Sequence, residues 1–517
     1  MSQVKVLWVD DEIDLLKPHL IFLENKDYDV LTATSGVEAL DILEEEMVDI
    51  VLLDENMPGL TGLETMQKIK SKFHSLPIVM ITKSEEESIM EDAIGANIAD
   101  YLIKPVNPKQ ILLCLKKNTE KKNLVTEKSS MAYQQAFRNI SMKISGRLDW
   151  KEWIDLYKEL VYWELELDKT DDSQISQVLS EQKNEANTQF FKFIQKEYAA
   201  WINQQNMDKP YLSHTVLKEK LFPEISENKP AFLFVVDNLR YDQWKSLIPH
   251  ITDYYRIEQE DIYYSILPTA THYARNSLFA GLLPSEIEKK YPNLWLNEND
   301  EGGKNQYENE LLDNYLKRHG KNIKYSFSKI LNVEFGQKLV DNFNRFYDNP
   351  LNVVVINFVD MLSHAKTDVD LIKELTKDEK SYRGITTSWF ENSVMMDMIK
   401  LLAEKRIPIF ITADHGSICV QNPIKVIGDK ATNTNLRYKI GKHLDYNPKE
   451  VYEIRNPKDI YLPKSHLTDT FIFAGNTDFF AYPNNFNYYA NYYKNTFQHG
   501  GVSMEEMLIP FVRLNPK

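Results

Sequence analysis

Two sets of side chains in this chain have types and spacings that can do phosphoryl chemistry. The first is Asp10, Asp11, Asp54, Thr82 and Lys104, all within the first 120 residues. Crowded carboxylates repel unless a hard cation sits among them, and oxygen donors of this kind call for Mg²⁺. The lysine adds a movable positive charge suited to an incoming phosphoryl oxygen. The second set is Asp237, Thr271, Asp360, His364, Asp414, His415 and His499. Carboxylate plus imidazole without a cysteine cluster suits Zn²⁺ or Mn²⁺ better than Ca²⁺. There are donors enough for two ions, and two ions about 4 Å apart clamp the attacking and leaving oxygens of a displacement at phosphorus. A Thr271 hydroxyl is a weak nucleophile until its proton is made more acidic. Arg240, Arg275 and Arg437 are candidate phosphate contacts, since guanidinium matches phosphate in a bidentate way.

These residues need a scaffold that gathers them, and the apolar pattern supplies one. Strand-like runs at Val4–Val9, Tyr28–Ala33, Ile50–Leu53, Ile78–Ile81 and Ala99–Ile103 alternate with helical stretches at Asp14–Asn25, Gly36–Met47, Gly62–Phe73, Glu86–Ile94 and Lys109–Lys122. That alternation predicts a doubly wound parallel sheet, whose ligands bind beyond the carboxyl ends of the strands. Asp10, Asp54, Thr82 and Lys104 fall at those ends. Further on, AFLFVVD ends in Asp237, NVVVINFVD in Asp360 and IPIFITAD in Asp414, while SILPTATHYAR leads from a strand into a helix.

The motifs WVDDE at 8–12, LLDENMPG at 52–59, Thr82 and YLIKP at 101–105 resemble those of CheY-like receiver domains of response regulators. The resemblance implies that Asp54 accepts a phosphoryl group. It implies that Asp10, Asp11 and the Asn56 carbonyl join Asp54 in holding Mg²⁺, and that Thr82, Tyr101 and Lys104 form the switch. Lys83 departs from the small residue usual beside the threonine. Residues 229–517 resemble the PglZ family of the alkaline phosphatase superfamily, in the ordered set Asp237, Thr-Ala-Thr-His, Asp-x-x-x-His, Ala-Asp-His-Gly and late His-Gly-Gly. That resemblance implies an α/β/α fold with Thr271 as nucleophile. One zinc ion would be held by Asp237, Thr271, Asp414 and His415, the other by Asp360, His364 and His499.

Residues 123–228 form the expected helical region between a receiver at 1–122 and the domain from 229. Asp149 and Glu152 make a capping-box pattern. Trp150, Trp153, Tyr157, Leu160 and Val161, then Phe190, Phe193, Ile194 and Trp201, recur at helical spacing and are expected to be core. Residues 168–184 are polar and read as a loop or helix end. The order of parts resembles a family of regulators tied to type IX secretion and gliding in Bacteroidetes. It implies a sensor histidine kinase, a sigma-factor partner, and phosphodiester or oligonucleotide substrates. Homodimer formation on phosphorylation is also expected; the alternative is an inactive domain serving as a protein-binding platform.

The 517 residues carry a net charge of -15, and the first 120 hold 11 Lys and no Arg against 23 acids, so direct binding of duplex DNA is not expected. Two cysteines, no long apolar run and no leader pattern make a cytoplasmic protein with no membrane association the expectation.

Overall fold

β-Branched and leucine-rich runs become the strands that the periodicity predicts. The computed structural model describes residues 3–517 except 74–75, 84–97, 171–172, 205–207, 228, 429–431, 465 and 467; the side chains of 119–128, 173, 368 and 370 also lie outside it. The chain divides into two compact units, residues 1–134 with 169–172, and residues 135–168 with 173–517.

In the first unit β1 (Val4–Val9), β2 (Tyr28–Ala33), β3 (Ile50–Asp54), β4 (Ile78–Thr82) and β5 (Asp100–Ile103) form one parallel sheet in the order 2-1-3-4-5. Alternate residues of β1 feed two cores: Leu7 and Val9 pack on one face, Val6 and Trp8 on the other. The helices α1 (Lys17–Glu24), α2 (Gly36–Glu45) and α3 (Gly62–Lys72) cover the sheet, α3 opening with a Thr61/Glu64 capping box. The order reverses between β1 and β3, which places the ligand crevice at Asp10 and Asp54. The expected helix Glu86–Ile94 lies outside the described residues. The last helix, α4, was expected to stop at Lys122 and instead spans Pro108–Ser145. Nothing breaks it, since residues 109–145 contain neither glycine nor proline.

In the second unit α5 (Trp150–Leu167) starts at the expected capping box, with Asp149 accepting from the Lys151 and Glu152 amides. The polar stretch 168–184 starts as a helix end, with Asp168 closing α5, but from Ser173 it belongs to α6 (Ser173–Asn203) rather than to a loop. Its polarity is misleading because buried positions there include Gln182 and Asn187, which are hydrogen-bonded rather than apolar. The aromatic stripes are core: Trp153 and Phe190 are buried with ring centroids 5.3 Å apart.

The central sheet runs β7-β11-β10-β6-β9-β8, from β6 (Ala231–Val236), β7 (Tyr255–Tyr264), β8 (Tyr325–Ile330), β9 (Leu351–Ile356), β10 (Ile409–Thr412) and β11 (Leu508–Pro516). β11 is antiparallel to both neighbours, while β10, β6, β9 and β8 are mutually parallel. The third strand stops at Ile356, short of the expected Asp360, because the chain turns into α10 (Phe358–Asp368).

A chain of buried charges joins the helices to this sheet. Arg383 on α12 (Glu379–Glu391) bonds Glu164 at 2.7 Å, Asp168 at 2.7 Å and Asp242 at 2.8 Å. Asp242, on α7 (Tyr241–Ile251), also holds Arg240 at 2.6 Å. Glu164 in turn pairs with Lys183 of α6 at 2.6 Å.

Candidate active sites

The receiver crevice collects its residues from the ends of four strands, β1, β3, β4 and β5. Carboxylate oxygens of Asp10, Asp11 and Asp54 lie within 4.8 Å of one another. Lys104 Nζ bridges Asp10 Oδ2 and Asp54 Oδ1, each at 2.9 Å. Burial pushes the Asp54 carboxyl above its ordinary range; Lys104 opposes this, and the Asp10 and Asp11 charges add to it. Asn56 lies just past β3, its side chain exposed, and the Tyr101 ring on β5 is largely turned to solvent. One contact was not foreseen: the Thr82 hydroxyl donates to Glu55 Oε2. Glu55 directly follows Asp54, so Thr82 is held by the residue next to the candidate acceptor.

The second site lies at the carboxyl ends of β6 and β10. The Asp237 amide donates to Ile356 O at 2.8 Å, which pins the residue beside β9. Asp237 Oδ1 accepts from Thr271 Oγ1 at 3.3 Å, and Thr271 Oγ1 is 2.9 Å from His415 Nε2. His415 Nδ1 lies 3.1 Å from Gly416 O, so the proton belongs on Nδ1 and the Nε2 lone pair faces Thr271. Gly416 has no substitute, because a Cβ there would fall 2.0 Å from Glu505 O. Asp414 Oδ1 accepts from the Asn238 amide at 3.3 Å, whereas Asp414 Oδ2 is buried without a hydrogen-bond partner.

Asp360 and His364 lie one turn apart on α10, with His364 Nε2 3.5 Å and His499 Nε2 3.7 Å from the Asp360 carboxylate. The His415 and His499 rings stack at 4.3 Å and 18°, so the two donor sets are adjacent. Asn238 ties them together, its amide on Asp414 and its Nδ2 3.4 Å from Asp360 Oδ1. It achieves this with a left-handed φ of 66°, which asparagine tolerates. Within each set the donor atoms lie inside 4.8 Å.

The electrostatics fit a pair of cations. Burial, with the Asp237 charge adding, holds Asp414 well above the carboxylate range and Asp360 up to about 6. Burial and the neighbouring His415 and His364 hold His499 well below the imidazole range. Burial also works against ionised Asp237, but Arg275 and His415 outweigh it and keep its carboxyl low. Two carboxyls pushed up, an imidazole pushed down and an orphaned carboxylate oxygen are what a site shows when its donors outnumber its positive charge.

The three arginines require a correction. Arg275 bonds Asp237 Oδ2 at 2.5 Å and Glu308, on α9 (Glu308–Arg318), at 2.6 Å. Arg240 is committed to Asp242 and Glu379, and Arg437 to Glu506. All three are under 4% exposed, so none is placed to grip a substrate phosphate; nearby acids have claimed each guanidinium. Thr271 itself begins α8 (Thr271–Ala280), where Ala270 at the N-cap offers no side chain to the first-turn amides. A cavity of about 600 Å³ opens onto His364 and His499; its lining includes Asn299, Asn433, Asn435, Gln498, Tyr438 and Tyr493 but no Lys or Arg among the described residues.

A receiver crevice on one sheet and a threonine–histidine–carboxylate site on another define a response regulator with a hydrolase-type output domain. Residues 6–116 match the response regulator receiver domain, and 123–202 the PorX response regulator linker domain. Residues 216–514 match the BREX system PglZ alkaline phosphatase-like domain. The chain belongs to this PglZ family, and its three parts follow the PorX-like order. The receiver is 34% identical over 115 residues to the transcriptional regulatory protein ResD of Bacillus subtilis, covering 22% of this chain and 48% of that one. It is 35% identical over 114 residues to the regulatory protein VanR of Enterococcus faecium, covering 22% and 48%. The chain thus spans about half the length of these relatives. The Vibrio cholerae chemotaxis protein CheY4 is 30% identical, with 23% of this chain and 99% of that one covered and a TM-score of 0.22. Among the described residues no helix is long and apolar enough to cross a membrane.

Proposed function

We propose that this protein is a phosphorylation-controlled phosphodiesterase, in which a sensor histidine kinase loads Asp54 and the PglZ domain cleaves nucleotide or oligonucleotide diesters. The observation that carries the reading is Thr271 Oγ1, 2.9 Å from His415 Nε2 at an open helix N-terminus, beside two adjacent Asp/His donor sets. Two zinc ions, one held by Asp237, Asp414, His415 and Thr271 and one by Asp360, His364 and His499, would supply Lewis acidity for the attacking and leaving oxygens. In the receiver, Asp10, Asp11, Asp54 and the Asn56 carbonyl would hold Mg²⁺.

Thr271 Oγ attacks phosphorus, its bond to phosphorus forming as one ester P–O bond breaks. The departing alkoxide takes up a proton, balancing the one that the Thr271 hydroxyl gives up on attack, and leaves as an alcohol. Water then cleaves the phosphothreonine, giving a monoester and restoring the hydroxyl. The first-turn amides of α8 favour the anion during both displacements. Asn238 keeps Asp414 and Asp360 in register, and the Gly416 carbonyl fixes the His415 tautomer. With the arginines sequestered, the cavity, lined by amide side chains and the Glu298 carboxylate, suits a polar group without negative charge next to the scissile phosphate.

Likeness to PorX-type regulators supports a reading in which the activity acts upstream of type IX secretion and gliding, with a sigma factor as partner and a homodimer as the phosphorylated form. The test is hydrolysis of bis(p-nitrophenyl) phosphate by zinc-loaded protein. Thr271→Ala should lose on the order of a hundredfold or more, as expected for removal of a positioned nucleophile. Near wild-type rates in the variant would discard the reading.

A further inference from the structure

Helix α13 (Phe486–Tyr493), sequence FNYYANYY, has five aromatic residues in eight and buries none of its residues. Tyr488 and Tyr489 are 62% and 38% exposed. The spacing puts the tyrosines in two rows. Tyr488 and Tyr492 are stacked at 6.0 Å and 15°, and Tyr489 and Tyr493 at 6.2 Å and 14°. Lys373 of α11 (Asp370–Leu375) stands 4.7 Å over the Tyr492 ring. Tyr493 ends the helix in the wall of the cavity that holds His364 and His499. Phe486 and Tyr493 rest against the buried Ile418, Val420, Phe479 and Ala481 while Tyr488 and Tyr489 stay exposed, so the rows run from solvent to the candidate catalytic cavity.

We infer that α13 is a base-stacking platform for single-stranded oligonucleotide, which feeds the strand past Tyr493 to the scissile position. The inference rests on the phosphodiesterase reading and names the part of the substrate that lies beyond the cleaved bond. Every base has a π face, so a tyrosine track binds single strands with little regard to sequence. Lys373, over the Tyr492 ring, sets a positive charge beside the track. Duplex DNA hides its base faces and gains nothing from such a track, and the net charge of -15 works against duplex binding as well.

The experiment uses full-length, zinc-loaded Thr271→Ala protein, so that the probe stays whole, and a fluorescein-labelled oligodeoxythymidylate of about ten nucleotides read by fluorescence anisotropy. Replacing Tyr488 and Tyr492 together by Ala should weaken binding about tenfold or more, whereas replacing both by Phe should restore it, because the ring rather than the hydroxyl stacks. With Thr271 intact, the alanine pair should lower kcat/KM for the oligonucleotide relative to that for bis(p-nitrophenyl) phosphate by a similar factor. Equal affinity in the alanine and parent proteins overturns the platform, even if diester hydrolysis is robust. No hydrolysis by the Thr271 protein, with oligonucleotide binding that still depends on the rings, removes the catalytic reading and keeps the platform. No oligonucleotide binding, with a tyrosine-dependent change in mass by light scattering, also overturns it and assigns the rows to a second copy of the chain.

Discussion

Arg275→Met tests whether the guanidinium acts as a stand-in charge for the metal site. Its side chain is 3% exposed and reaches Asp237 at 2.5 Å, Glu308 at 2.6 Å and Asp414 at 3.8 Å. Methionine keeps the volume and removes the charge. In metal-free protein this strands buried carboxylates, and breaking one side of such a pair costs about 3–5 kcal/mol. The unit containing the site has about 380 residues, for which an unfolding entropy of about 2 cal/mol/K per residue turns that cost into a Tm lower by about 4–6 °C. With zinc bound, Asp237 and Asp414 regain a cation. Only Glu308 then lacks Arg275, and Lys329 already pairs with it at 2.6 Å. The gap between variant and wild type should therefore shrink to less than half on adding zinc, and zinc should raise the Tm of the variant more than that of the wild type. Thermal unfolding of both proteins with chelator and with zinc measures this. A gap unchanged by zinc would show that Arg275 only fills space, and the charge argument would fail.

Three further outcomes are expected. Acetyl phosphate with Mg²⁺ should label wild type but not Asp54→Ala; equal labelling by mass spectrometry would refute Asp54 as acceptor. Glu55→Leu removes the charged acceptor of the Thr82 hydroxyl, a bond of about 1.5–3 kcal/mol, so the acetyl phosphate needed for half-labelling should fall by about tenfold or more; an unchanged requirement counts against the Glu55 hold. Zinc at the Asp360 set should weaken as pH falls through about 6, where burial and Asp237 place the Asp360 carboxyl, and calorimetry should find proton release on binding there. In metal-free protein the sign reverses: stability from the protonated Asp360 is full below the ordinary value of 3.8 and lost as pH rises through about 6.

Asp237 and Asp414 were legible because each closes a fully buried apolar run, a pattern that locates a strand end without structural help. Asp360 was assigned to the right cluster but the wrong element: NVVVINFVD reads as one strand, and only its packing shows that Asn357 starts a helix. The arginines misled because a sequence displays the charge but not the partner that neutralises it; Glu308 lies 33 residues from Arg275 and Glu506 lies 69 from Arg437. Asn238 went unnoticed, although an asparagine directly after a strand-end aspartate is a signal for the left-handed turn it makes. The hold of Glu55 on Thr82 had no local signature, since the strands that bring them together are adjacent only in the sheet.

The buried chain of charges from Lys183 through Glu164, Arg383 and Asp242 to Arg240 bears on how this protein can be inherited and dissected. The family boundaries at residues 202 and 216 look like a seam between interchangeable parts. A cut there would take Glu164 and Asp168 away from Arg383, and breaking a buried pair costs about 3–5 kcal/mol. A junction ahead of Gln135 leaves every member of the chain together. The helices and the phosphatase-like domain therefore form one cassette. Recombination can exchange the receiver in front of it, but a foreign linker would have to bring matching charges with it.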